Sequence, residues 1–407
     1  MKTIKLLVLS PLLGLLAAIA PAPAQVWTLT SAPTRLWTAI ASSADGSNLV
    51  AVAADAIYNS ADSGASWMDS HAPGTNWTSV AASADGIKLV AAGNGLPIYV
   101  STNAGFSWAA TSSPGLPWQG VACSADGTRI AAVYASGLLA GGVFTSTNSG
   151  AVWAPANAPT NGWYSVAASA DGTKLAATMV NLLTPGGPFG PIFTSTNSGS
   201  SWTMTTQRVS WPTSLACSAD GAEIVAAQGT KGFPVGGQIN LSTNAGDAWS
   251  ATSAPNMAWS SVASSADGTH LAAAIGGGFS GTISGTIYTS TDAGLTWSPT
   301  DAPSNYWASV ASSADGNKLV AVVNGGGIYT AQSTRLPLLS LATSSGHPVV
   351  SWTVPSMSFV LQQTSDLSGS NWVDVTNPPV LNFTNLQNLV SILSPATGIG
   401  FYRLKGP

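Results

Sequence analysis

Ser-Ala-Asp-Gly occurs seven times in this chain, with its aspartate at Asp45, Asp85, Asp126, Asp171, Asp220, Asp267 and Asp315, a spacing of 40–49 residues. Self-similarity at such a period calls for a repeat architecture, in which each unit buries its apolar surface against its neighbours. Each copy opens on W-x-x-V-A-x-S-A-D-G-x-K-L-V-A, passes through a Gly-rich stretch to I-Y-x-S-T-N-x-G-x-x-W, and ends in a short Ala-Pro connector. Helical repeats would need apolar spacings of three and four. Here apolar residues alternate or run in fours beside Gly and Asn turns, which reads as four short strands per unit.

The first turn is Ala-Asp-Gly, where the carboxylate can accept from backbone N–H groups two residues on and Gly takes the left-handed position. The second is S-x-[DN]-x-G-x-x-W, present at Ser60–Trp67, Ser101–Trp108, Ser146–Trp153, Ser195–Trp202, Ser242–Trp249 and Ser290–Trp297. Its third place holds Asp62, Asn103, Asn148, Asn197, Asn244 and Asp292. This interchange means that the side-chain oxygen is wanted as an acceptor and the charge is not.

Fourteen of the sixteen tryptophans fall two per unit, one entering the inner strand (Trp37, Trp77, Trp118, Trp163, Trp211, Trp259, Trp307) and one on the outer strand (Trp27, Trp67, Trp108, Trp153, Trp202, Trp249, Trp297). Burying an indole removes roughly 200 Å² from water, worth about 5 kcal/mol at most, so the recurring rings are first a packing device. The last unit reaches Ile328-Tyr329-Thr330 and then lacks Gly-x-x-Trp, whereas Val26-Trp27-Thr28-Leu29 precedes the first unit with no turn of its own. The expected fold is an all-β, seven-bladed β-propeller over residues 25–334, its N-terminal strand completing the last blade.

The second turn resembles the Asp-box, or BNR, repeat of sialidases, sortilin-type receptors and the propellers that assist photosystem assembly, over roughly residues 26–331. The resemblance implies that Asp62, Asn103, Asn148, Asn197, Asn244 and Asp292 are structural, and it speaks for fold rather than function. Sialidases hold a substrate carboxylate with three arginines and use a Tyr–Glu nucleophile and an Asp acid/base. This chain has one glutamate, Glu223, at a strand position read as exposed and taken elsewhere by Lys88, Arg129, Lys174, His270 and Lys318. Apart from Arg129, the propeller arginines are Arg35 and Arg208, both read as lying in connectors. No catalytic set is therefore expected, since glycoside hydrolysis needs paired carboxylates. With the turn aspartates set aside, Asp55, Asp69, Asp247 and Asp301 remain in the ring, and Asp55, Asp69 and Asp301 are the suspects if the chain is instead a divergent sialidase-like glycoside-cleaving enzyme.

In a four-stranded blade the two motif turns share one face, and the connectors and middle loops share the other. From the turn Asp to the Ser of the second turn the spacing is 15 and 16 residues in the first two units, then 20, 24, 22 and 23 in the third to sixth. The longer loops raise one side of the rim and carry Leu138, Leu139, Leu182, Leu183, Phe189, Phe233 and Phe279, apolar side chains that fit a contact surface or fold back over the blade edges. Between the fourth and fifth units Arg208 stands where a Pro stands in the others, and Trp211 arrives one residue early. Departures from a chain's own rule are places to seek function, so Arg208 and Trp211 join Leu182, Leu183, Phe189, Phe233 and Phe279 as candidate ligand- or partner-binding residues, with drift in a tolerant repeat as the alternative.

Only 7% of residues are charged and the net charge is −4, which leaves no basic stripe for nucleic acid. Cys123 and Cys217 occupy equivalent places in non-adjacent repeats and are expected to be packed thiols rather than a disulfide. His71, His270 and His347 lack ligand spacing, so neither metal nor cofactor is expected. Residues 1–24, with Lys2, Lys5, an apolar run from Leu6 to Ala20 and Ala22-Pro23-Ala24, read as a signal peptide cleaved before Gln25, giving a secreted or extracytoplasmic product without a spanning helix. From Arg335 to Pro407 the repeat is gone. Strands at Pro348–Thr353, Ser358–Gln363, Asn371–Val375, Leu386–Leu393 and Gly398–Leu404 are expected to form a small β-sandwich-like module. The functional expectation is a secreted or cell-surface, non-enzymatic scaffold for a protein or glycan ligand, with an assembly factor for an exported complex as a further alternative.

Overall fold

A computed structural model describes residues 26–137, 140–180, 189–210, 212–229, 236–277, 283–333, 337–344, 347–355, 357–365, 371–392 and 401–405. The expected signal peptide lies outside them. All regular structure among the described residues is β-strand.

The first unit shows the local logic. Arg35–Ser42, Leu49–Ala53, Ala56–Ser60 and Met68–Asp69 pair antiparallel in chain order, from the ring axis outward. Leu49–Ala53 is buried along its whole length because neighbouring units cover both of its faces, which accounts for apolar runs rather than strict alternation. Among the described residues the same order recurs in units whose inner strands are Trp77–Ala82, Leu116–Cys123, Gly162–Ala168, Pro212–Cys217, Trp259–Ser264 and Trp307–Ser312. The last of these is completed by the N-terminal strand, with Thr28 opposite Thr330 and Leu29 opposite Tyr329.

Units interlock through the inner indoles. Trp37 packs with Val320, Val322 and Ile328 of the last unit, and Trp77 with Val50, Val52 and Ile57 of the first. Within a unit, the inner indole meets an aromatic ring of the third strand edge-on, as in Trp37–Tyr58 at 5.5 Å and Trp307–Tyr329 at 5.2 Å. At the axis the Ala of each Ser-Ala-Asp-Gly bonds to the next: Ala44 N–H donates to Ala84 O (2.8 Å), the relay runs through Ala125, Ala170, Ala219 and Ala266, and Ala314 N–H returns to Ala44 O (2.7 Å). The units therefore close into a circle.

Beyond the ring, Ser340–Ser344, His347–Thr353, Gln387–Ser391 and Val380–Asn382 form one sheet, and Val373–Asp374, Val360–Thr364 and Phe401–Lys405 another. Val350, Trp352 and Val390 of the first sheet pack with Leu361 of the second, and Ile392 joins this core. Two of these strands, Ser340–Ser344 and Val380–Asn382, were not expected from the sequence. Ser340–Ser344 is exposed throughout and has no apolar alternation to betray it. Leu386, read as the start of a strand, instead precedes Gln387–Ser391 at a positive φ of 54°.

Candidate functional site

Both motif turns act as their chemistry dictates. In all seven first turns the Asp carboxylate accepts the N–H two residues on, from Ser47 to Asp45 at 3.0 Å through to Asn317 to Asp315 at 3.0 Å. The following Gly is left-handed, as at Gly46, φ 68°. In all six second turns the Asp62-type oxygen accepts an N–H four residues on, whether from Asp (Ser66 to Asp62, 2.9 Å) or Asn (Ser107 to Asn103, 3.0 Å). Burial pushes the Asp45 carboxyl up, but hydrogen bonds from Ser43 and Ser47 outweigh it and hold the group below its ordinary value. Asp126, Asp171 and Asp220 behave alike for the same reasons.

The strand position read as exposed is half-buried and joins units. Asn48 Nδ2 donates to Asp85 O (2.9 Å), Lys88 Nζ to Asp126 O (2.9 Å), Arg129 Nη1 to Asp171 O (2.6 Å), Lys174 Nζ to Asp220 O (2.8 Å) and Lys318 Nζ to Asp45 O (3.2 Å). The long side chains reach across because the next unit's turn carbonyl lies beside each strand, which a linear sequence does not reveal.

The axis holds a cavity of about 160 Å³ whose wall is made of Ser42, Ala82, Cys123, Ala168, Cys217, Ser264 and Ser312 together with the turn residues. Only small side chains fit where the inner strands converge. Both cysteines are free and half-buried. Burial chiefly, with Asp126 beside one and Asp220 beside the other, pushes each thiol up to about 12. On the turn face Leu386 of the C-terminal module also lines this cavity and packs on Ala125, Ala170 and Ala219, alongside Ala84 and Ala266. The protein's own chain therefore lies at the turn-side mouth, and the connector and middle-loop face lies at the opposite end.

On that opposite face Arg35 pairs with Asp55, donates to Tyr58 Oη (2.9 Å) and lies over the Tyr58 ring, 5.5 Å from its centre. Hydrogen bonding to Tyr58, with Asp55 alongside, raises the Arg35 pKa. Arg35 is the first residue of an inner strand rather than part of a connector. Of the other suspect carboxylates, Asp69 accepts the His71 N–H (2.8 Å), and Asp301 accepts the Trp27 N–H (3.3 Å), tethering the closing strand. Asp55, Asp69 and Asp301 thus each have a structural partner.

Arg208 also lies in a strand, not a connector. The longer middle loop lets Phe189–Ser195 offer extra backbone, and the outer strand Thr203–Ser210 follows it, placing Arg208 opposite Pro191. The side chains of Arg208 and Phe189, and residues Leu138, Leu139, Leu182, Leu183, Trp211, Phe233 and Phe279 entirely, lie outside the described residues. What sequence reasoning missed is the inter-unit clamp, the Arg35–Asp55–Tyr58 cluster and the Leu386 contact. The one available signal was the unvarying Ala of Ser-Ala-Asp-Gly, a place where something approaches closely.

No family model matches the chain, and no curated protein does. Solved structures do. Hydrazine synthase of Kuenenia stuttgartiensis aligns with a TM-score of 0.58 and 16% identity over 75% of this chain and 97% of that one. YCF48 bound to D1 peptide aligns at 0.54 and 14% over 77% and 96%. The β-propeller domain of Myceliophteria thermophila Cps50 (Swd1) aligns at 0.53 and 12% over 76% and 100%. At these identities the likeness concerns the fold, and the fold is that of a β-propeller.

Proposed function

We propose that this β-propeller is a seven-bladed, Asp-box-type binding scaffold, exported and non-enzymatic, that engages a protein ligand on its connector and middle-loop face. The observation that carries the reading is the Leu386 contact: one mouth of the axial cavity is occupied by the C-terminal module, so a partner approaching the axis does so from the other side. That face also carries the Arg35–Asp55–Tyr58 cluster, a polar group half-open to solvent. A protein ligand is preferred to a glycan because YCF48, a structural neighbour, is bound to a peptide. The engagement of Asp55, Asp69 and Asp301 in structural bonds gives no support to glycoside cleavage.

The two faces can be blocked separately. Asn94→Cys places a thiol on the loop face and Ser200→Cys one on the turn face, both at exposed positions. Cys123 and Cys217, held at about 12, stay largely unreactive while these are coupled to a bulky maleimide. On peptide and glycan arrays, capture of peptides lost at least about tenfold with the label at 94 and kept with the label at 200 is the expected result, equivalent to 1.4 kcal/mol or more. Loss only with the label at 200 overturns the face assignment, and capture or cleavage of glycans alone overturns the ligand class.

A further inference from the structure

Around the ring, the position two residues after the turn Gly reaches the turn carbonyl of the next unit in five of the seven units. The other two hold Glu223 and His270, and the His270 Nδ1 meets Thr269 Oγ1 (2.8 Å). Five of its occupants, Asn48, Lys88, Arg129, Lys174 and Lys318, donate at 2.6–3.2 Å. Between the fifth and sixth units the occupant is Glu223, whose carboxylate bears on Gly268 so closely that a Cβ there would collide with Oε2. That oxygen is buried and has no partner. An ionised carboxylate has no proton to give, and the neighbouring carbonyl can only accept. Lys318 and Lys88 also donate to Ser63 and Ser149 of the next unit's second turn, where the sixth unit has Ala293.

We propose that Glu223 is a proton-operated latch between the fifth and sixth units: protonated, it donates to the Asp267 carbonyl as five of its counterparts do to theirs, and ionised, it leaves that junction without the side-chain donor those five supply. The charged groups around it oppose ionisation. Asp220 lies on its own turn and Asp267 across the junction. Lys174 is committed to the Asp220 carbonyl, and His270 lies 4.0 Å from Asp267. Burial first, then Asp220 and Asp267, raise the Glu223 carboxyl above its ordinary value. The sign follows. The latch is fully closed below the ordinary carboxyl range and is lost as pH rises through the raised value, opposite to the turn aspartates.

The test compares the purified protein with Glu223→Gln, an isosteric donor that does not titrate, and with Glu223→Lys, which restores the common clamp. Calorimetric midpoints are read at about pH 4 and about pH 8. Asp220, Asp267 and His270 are common to all three proteins, so the differences report position 223. Both variants should exceed the parent by about 2 °C or more at the higher pH, and Glu223→Gln should match it at the lower. Amide exchange of Ala219, whose N–H crosses the same junction to Ala266 O, should slow in Glu223→Gln at the higher pH relative to that of Ala84. A Gln gain equal at both pH values, or a variant less stable than the parent at the higher one, overturns the latch.

Discussion

Asp62 shows what a single side chain contributes here. It accepts from the Ser66 N–H and hydroxyl and from the Ser60 hydroxyl, and these bonds, Ser66 first, hold its carboxyl below the ordinary value. The same geometry is built with Asn103 or Asn148, so the oxygen matters and the charge does not. Asp62→Asn should therefore leave urea stability within about 0.5 kcal/mol, whereas Asp62→Ala should lose about 1 kcal/mol. The turn aspartates set the acid response. Asp45, Asp126, Asp171 and Asp220 all lie below their ordinary value, so the stability they provide is complete above the normal carboxyl range and is lost as pH falls through their depressed values. In the Glu223→Gln protein, where position 223 does not titrate, a thermal-midpoint profile that is flat from neutrality down to the carboxyl range and falls steeply below it is the expected outcome, and one that rises in acid would contradict the assignment.

At the level of elements, the weakest covalent logic sits where the strongest packing is needed. The last unit is closed by a strand from the far end of the chain, held by two residue pairs, by Thr30 N–H to Ile328 O (2.9 Å), and by Trp27, which is 8% exposed and 6.0 Å from Trp307. Trp27→Ala should cost about 3–5 kcal/mol and make the seam the first place that proteases cut. Asp301→Ala, which removes only the acceptor for the Trp27 N–H, should lose about 1 kcal/mol by chemical denaturation. A Trp27→Ala protein as stable as the parent would mean that closure does not depend on this indole.

For the whole molecule, the C-terminal module and the ring meet through Leu386, whose side chain rests among alanines contributed by five units. The chain leaves the last unit at Gln332, the turn-side end of its third strand, so the module emerges on the face that Leu386 covers. Leu386→Asp should detach the turn that carries it, the tip of the module, while sparing both folds. Cys123 and Cys217 line the same cavity, and their reaction with a small thiol reagent should speed up by about tenfold as the mouth opens. Unchanged labelling with intact circular dichroism would show that the tip does not control access.

The period of Ser-Ala-Asp-Gly, the turn chemistry and the orphan strand at Val26–Leu29 were enough to specify strands, their pairing order and the partner of the N-terminal strand, because all three are enforced by local backbone geometry repeated along the chain. The apolar residues of the expected rim lie outside the described residues, and Arg208 was misplaced, since a strand lengthens when a neighbour supplies backbone to pair with. The inter-unit clamps, the burial of the Glu223 carboxylate and the Leu386 contact belong to tertiary structure alone. Each joins residues tens to hundreds of positions apart, and whether a lysine is a solvated surface charge or a bridge is settled only by what the folded ring places beside it.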